Sequence, residues 1–152
     1  MSHIKIIYGT TGGNTELVCQ FVAEKLKDKH AVTLERCELT DPKKVTDCDF
    51  LILASPTYGH GVLEMHFAQF FPKIQDVDLG GKPCAVITLG DPKYDMDYFL
   101  ESGKILTEFL ETHGGRVALD SLKIAKTPLP YLSKSVMMWV QKLCEILKGN
   151  KK

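Results

Sequence analysis

The residues best suited to chemistry lie in three short segments, the first being Gly9-Thr10-Thr11-Gly12-Gly13-Asn14-Thr15-Glu16. It combines hydroxyls, one amide side chain and two adjacent glycines with no Lys or Arg. Ile4 to Tyr8 before it is a short apolar run, and apolar residues after it recur at helical spacing, so it joins a strand to a helix N-terminus. Unpaired backbone N–H groups there suit an anion, and the glycines allow close approach. The lysine of GxxxxGK[ST] is missing and Thr11 breaks GxGxxG, which disfavours nucleoside triphosphates and dinucleotides. A terminal phosphomonoester held by hydroxyls and amides fits these residues, and a capped tight turn without ligand also accounts for them.

The second segment, Ser55-Pro56-Thr57-Tyr58-Gly59-His60-Gly61, follows the apolar run Phe50 to Ala54. The third, Gly90-Asp91-Pro92-Lys93-Tyr94, follows Ala85 to Leu89. Each brings a tyrosine to the end of a buried strand. Two aromatic faces beside a phosphate cradle form a slot for a flat heteroaromatic ring attached to a phosphate. Taken singly, either tyrosine could instead be an exposed loop cover. Glu64 and His66 adjoin this crevice and are expected on a helix surface.

Positioning three such segments requires strands that alternate with helices. Asn14 to about Asp28 reads as a helix with Leu17, Val18, Phe21, Val22 and Leu26 on one face, and Val32 to Cys37 as a more exposed strand. Glu64 to Phe71 is a shorter helix closed by Pro72, Phe99 to His113 a helix stopped by Gly114 and Gly115, and Ser133 to Leu147 a terminal helix. Val117 to Ile124 completes the strands as a fifth. This α/β alternation implies right-handed crossovers and a five-stranded parallel sheet in the order 2-1-3-4-5, covered on both faces. Ligands of such sheets sit beyond the carboxyl ends of the strands, where the winding reverses between the first and third.

Composition excludes several other classes. The 152 residues make one domain, and 19 Lys+Arg against 19 Asp+Glu give a formal net charge of zero, which argues against a broad nucleic-acid footprint. No apolar run reaches the roughly 18 residues of a membrane span, and MSHIKIIYG lacks the features of a signal peptide, so a cytoplasmic protein is expected. The five cysteines, Cys19, Cys37, Cys48, Cys84 and Cys144, contain no CxxC and no zinc-like spacing. Cys19 and Cys84 are expected as small core residues. No Ser-His-Asp order with an elbow motif, paired loop carboxylates or metal set is present, so no catalytic or metal residues are assigned.

With these residues in view, the chain resembles the flavodoxin family, specifically its short-chain members. YGTTGGNTE (Tyr8 to Glu16) is similar to the family's phosphate loop, SPTYGHG (Ser55 to Gly61) to its first ring-binding loop and GDPKY (Gly90 to Tyr94) to its second. The resemblance implies a flavodoxin-like three-layer sandwich that binds FMN. By it, Thr10, Thr11, Asn14 and Thr15 hold the phosphate with the amides of Gly12 and Gly13, and Tyr58 and Tyr94 flank the isoalloxazine. Pro56, Thr57, Gly59, His60, Leu89, Gly90 and Asp91 line the ring edge, with Tyr98 and Phe99 as neighbours. Gly59 gains a specific role, because its peptide can turn so that its carbonyl accepts a proton on flavin N5, a reorientation that glycine makes sterically easy. The chain carries Thr10 and Gly12 where the family usually has Ser and Thr, and Tyr58 where Trp is frequent. Its zero net charge departs from the family's usual acidity.

The expected function is a low-potential one-electron carrier between redox proteins, such as a reductase donor and an iron-sulfur or haem acceptor, working as a monomer. A phosphate that no cation neutralises, together with Asp91, Asp95 and Asp97, would oppose adding the last negative charge, while Lys93 and a protonated His60 would act the other way. The alternatives are an FMN-dependent NAD(P)H:quinone-type reductase of related fold and a binding module without flavin.

Overall fold

The computed structural model describes residues 2–58, 61–93 and 96–149. The chain runs β1 (His3–Tyr8), α1 (Asn14–Leu26), β2 (Ala31–Arg36), β3 (Phe50–Tyr58), β4 (Val62–Leu63) and α2 (Met65–Phe70). It continues through β5 (Pro83–Gly90), α3 (Glu101–Thr112), β6 (Arg116–Val117), β7 (Leu122–Ala125) and α4 (Met137–Gly149).

Strand alternation divides the interior into two cores. Ile4, Ile6, Phe50, Ile52, Ala54, Ala85 and Ile87 point to one face, where they meet Val18 and Val22 of α1 and Val140 and Leu143 of α4. Ile7, Leu51, Leu53, Cys84 and Val86 point to the other, against Phe67 and Phe70 of α2 and Leu106, Phe109 and Leu110 of α3. Apolar residues on both faces explain why these strands read as unbroken hydrophobic runs. Each fully buried Ile or Leu among them stabilises the fold by about 1.5–3 kcal/mol relative to exposure.

The parallel strands lie in the order β2-β1-β3-β5, with β6 and β7 both pairing with β5. The winding therefore reverses between β1 and β3 as expected, but the fifth strand is not the continuous Val117 to Ile124. Cys84 pairs with Val117 and Ile87 with Leu122, so three steps along β5 face five along the edge. Two extra residues bulge out within 118–121. The Trp139 indole N–H secures the bulge by donating to the Asp120 carbonyl at 2.8 Å. Trp139→Phe should cost about 1–2 kcal/mol by removing this bond and some packing. It should also speed amide exchange in β7, and an unchanged urea midpoint would show that the bulge needs no such tie.

Other boundaries shift for local reasons. The second loop is half strand, because β3 continues along β5 to the pair Pro56–Leu89 and then turns back antiparallel through β4. Proline is tolerated there because β1 ends at the pair Tyr8–Ala54. Ala54 C=O accepts the Gly9 N–H on that side, and Pro56, two residues on, faces the open edge where no ladder donor is needed. Pro72 does not close α2 but sits in a 3-10 turn, Phe71–Ile74, where a first-turn proline loses no helical bond. A π-helical turn, Leu132–Val136, precedes α4 where the α-helix was expected to begin. α3 begins at Glu101 rather than Phe99, whose carbonyl is packed against Gly90.

Candidate functional site

Three helices start beyond the carboxyl ends of the strands, and their N-termini are treated differently. α2 is capped by Glu64, whose Oε1 accepts the Phe67 N–H at 3.1 Å. α3 is capped from the sheet: Thr57 Oγ1 accepts the Ser102 N–H and Thr88 Oγ1 the Gly103 N–H, each at 3.1 Å. Ser102 Oγ, fully buried, then donates to Ser55 C=O at 2.9 Å and accepts from Thr57 Oγ1 at 2.8 Å. These bonds lock the ends of β3 and β5 to α3. By contrast, α1 has Gly13 at its N-cap with φ of 90° and no side-chain cap. Left-handed backbone there favours glycine.

Thr15, one residue inside α1, is 1% exposed, and its Oγ1 has no hydrogen-bond partner. A buried unpaired hydroxyl beside uncapped helix amides is an arrangement that an anion would complete. A cavity of about 550 Å³ opens from this point, within the size range of small-molecule sites. Thr10, Gly12, Asn14 and Thr15 line one end; Pro56, Thr57 and Tyr58 of β3 and Leu89, Gly90 and Asp91 at the end of β5 line the rest. Thr57 and Thr10 take part largely through backbone. The Thr57 hydroxyl is committed to α3, and the Thr10 hydroxyl accepts the Gly13 N–H at 3.0 Å.

Several sequence-named residues are placed otherwise. Thr11 does not line the cavity; its hydroxyl donates to Glu64 Oε2 at 2.7 Å. Tyr98 is half exposed and packs over Gly61 rather than lining the cavity, and Phe99 contributes the carbonyl that encloses Gly90. Gly59, His60 and Tyr94 lie outside the described residues, as does Asp95. Glu64 corrects the helix-surface expectation, since it is 0% exposed. A residue preceding a helix can turn its side chain inward as a cap, which the spacing within the helix does not reveal.

Burial drives the Glu64 carboxyl upward, but hydrogen bonds from Thr11, His66 and the amides of His66 and Phe67 outweigh it and hold the pKa below its ordinary value. A carboxylate depressed in the folded state supplies stability fully present above the ordinary value of about 4.3 and lost as pH falls through the lower folded value. Unfolding free energy should therefore be level above about pH 5 and decline below about pH 4.3. Glu64→Gln should flatten part of that decline in denaturant titrations, and an identical slope would remove Glu64 from its cause.

Lys126 and Thr127, which follow β7, also line the cavity. Lys126 brings to the cavity wall, beside Gly90 and away from the Thr10–Thr15 end, a cation that the three loop motifs do not contain. It has φ of 69°, the one positive value at a non-glycine among the described residues, and its N–H donates to Gly90 C=O at 2.7 Å. That bond ties the last strand to the one carrying Gly90. The segments after β3 and β5 also present exposed apolar side chains: Tyr58, Val62, Met65, Met96 and Tyr98.

The thiols stand apart from this chemistry. All five cysteines are free, and Cys19 and Cys84 are fully buried core residues as expected. Burial pushes Cys84 up to about 11, Cys37 up to about 12 and Cys19 higher still. Among the described residues no group of three His, Cys, Asp or Glu is placed to hold a metal, and no helix is long and apolar enough to cross a membrane.

Known proteins share both the sequence pattern and the architecture. The Flavodoxin family model matches residues 6–139. A flavodoxin of Maridesulfovibrio salexigens is 34% identical over 134 residues, covering 84% of this chain and 89% of that protein. The crystal structure of oxidised Flavodoxin 2 from Bacillus cereus superposes with a TM-score of 0.87 at 29% identity, covering 94% of this chain and 98% of that one. The Fusobacterium nucleatum flavodoxin bound to flavin mononucleotide shares the fold, with a TM-score of 0.84 at 18% identity over 95% of this chain and 98% of that one. A strand order that reverses where the cavity opens, an uncapped α1 beside it and a family match spanning nearly all of the sheet agree: this chain belongs to the flavodoxin family.

Proposed function

We infer that the chain is an FMN-dependent carrier of single electrons whose phosphate site is the N-terminus of α1. The observation that carries this reading is Thr15 Oγ1, buried without a partner beside the helix N-terminus that has no side-chain cap. As a member of the flavodoxin family, the chain is an electron-transfer protein that binds FMN and acts through redox partners. FMN, when bound, supplies a heteroaromatic ring that takes up and gives away electrons one at a time.

The chain's own residues divide the work. The Gly12 amide, with Asn14 and Thr15, holds the phosphate, while the Gly13 N–H, given by the family motif to the phosphate, is taken by Thr10 Oγ1 and fixes the loop. Tyr58 covers one side of the ring, and Pro56, Thr57, Leu89, Gly90 and Asp91 border its edge. Gly59, His60 and Tyr94 keep the roles implied by the family motif. Asp91 disfavours added negative charge on the ring and Lys126 partly offsets it. A balance of about 1.4 kcal/mol between them would correspond to roughly 59 mV in a one-electron potential.

Transient contacts with a reductase donor and an iron-sulfur or haem acceptor, by a monomer in the cytoplasm, are the expected working conditions. The test is an anaerobic redox titration of the FMN-loaded chain. Two resolved one-electron steps, the second at low potential, are expected. A single two-electron step, or oxidation of NADPH without a reductase, would instead identify a quinone-reductase type of chemistry. A chain that stays colourless after exposure to FMN would remove the cofactor assignment.

A further inference from the structure

Glu64 is a fully buried carboxylate that electron carriage leaves without a task. It lies under the first cofactor segment: a Cβ built on Gly9 would stand 2.5 Å from its Oε1, and Thr11 donates to its Oε2. Its own position is fixed from two sides, because its N–H donates to Ser55 Oγ at 3.2 Å and Phe67 N–H donates to its side chain. Behind it, His66 Nδ1 donates to Oε2 at 2.6 Å, and His66 Nε2 stands 3.9 Å from Glu38, which pairs with Arg36 Nε at 3.1 Å. An anion beneath a cradle for a second anion is electrostatically adverse. What it supplies to the cradle is therefore geometry. The Thr11 hydroxyl is turned away from the cavity toward Glu64, and two residues later the Gly13 N–H is turned toward Thr10.

We propose that Glu64 is a positioning residue for the cofactor phosphate: acting through Thr11, it holds residues 9–13 in the shape that leaves the α1 amides and Thr15 Oγ1 facing the cavity. This rests on the placement of the phosphate at α1. A purely structural Glu64, serving only as the cap of α2, would lower thermal stability and affect ligands with and without a phosphate alike.

The decisive experiment titrates the wild-type chain, Thr11→Val, Glu64→Gln and the double variant with FMN and with riboflavin, the same ring without the phosphate. Each single variant should weaken FMN binding about tenfold, and the double by about twentyfold rather than the hundredfold of independent sites. Riboflavin affinity should change less than about twofold throughout, because only the phosphate end is disturbed. An additive double variant, a parallel loss of riboflavin affinity, or either single variant binding FMN like wild type would overturn the proposal. A second readout does not depend on the Glu64 variant folding. In the FMN-loaded protein, Thr11→Val should raise the titration of the Glu64 carboxyl carbon seen by NMR, since a hydrogen bond to the charged form is lost. An unmoved titration would mean that Thr11 serves the phosphate directly, and would overturn the proposal. A wild-type chain that holds FMN no more tightly than riboflavin would overturn the phosphate placement as well. A wild-type preference for FMN with uncoupled variants would overturn only the role of Glu64.

Discussion

Thr15→Val is expected to weaken FMN binding by about 10- to 100-fold while making the FMN-free protein more stable. The two effects have one cause. In the protein alone Thr15 Oγ1 is buried with no partner, and such a group costs about 1–3 kcal/mol. Valine replaces the hydroxyl by a methyl of similar size and removes that cost. With FMN bound, the same hydroxyl would donate to a charged phosphate oxygen, a bond of about 1.5–3 kcal/mol, which corresponds to the stated loss at about 1.4 kcal/mol per factor of ten. Denaturant unfolding of the apo protein and fluorescence titration with FMN measure the two signs separately. A variant that loses stability without FMN, or that binds FMN within about twofold of wild type, would show that the hydroxyl belongs to the core of the fold and not to the cofactor.

Gly90→Ala should be the most damaging single methyl in the site. A Cβ at this position would lie 1.5 Å from the carbonyl oxygen of Phe99 and 2.6 Å from its carbon. Both are backbone atoms, so no rotamer change relieves the clash. Either the end of β5 or the segment leading into α3 must move. The segment is fixed by the threonine caps of Ser102 and Gly103, and the strand end by the bond from Lys126 N–H. We expect a loss of about 3 kcal/mol or more, which lowers Tm by about 6–12 °C for a chain of this size, together with weaker flavin binding. Gly12→Ala is the control, because an added Cβ there meets nothing within 4 Å, and its melting temperature should barely change. Equal melting temperatures for the two variants would mean that the 98–100 backbone yields more easily than its anchoring implies.

Why some of this was legible in the sequence, and some not, follows from how far apart the interacting residues lie. Phe50 to Ala54 and Ala85 to Leu89 announce themselves because a strand covered on both faces has no polar alternation to obscure it. The cradle of Thr10, Gly12, Asn14 and Thr15 is contiguous, so its hydroxyls and glycines can be read as one motif. Lys126 and Thr127 enter the cavity wall from the end of β7, more than 100 residues later, and no local pattern marks them. Pro128, just after them, signals only a loop. The break in the edge strand leaves no local mark for a different reason. Val117 to Ile124 has adequate strand composition throughout, and the two-residue excess emerges only when its register is compared with β5. Glu64 departs from the helix-surface expectation because that expectation follows from composition, whereas capping follows from which backbone amides lie within reach.

The exposed side chains on the segments after β3 and β5 have a consequence for how fast electrons change hands. Phenol rings, a valine and thioethers carry no charge, Asp91 and Asp97 on the same face alternate with Lys93, and the chain as a whole has a formal net charge of zero, so an incoming protein meets no strong field of one sign. An encounter at this face would rest on diffusion and desolvation of small apolar contacts more than on attraction of opposite charges, leaving dissolved ions little to screen. Turnover with a partner should then stay nearly constant across ionic strengths that would slow a carboxylate-rimmed carrier many-fold.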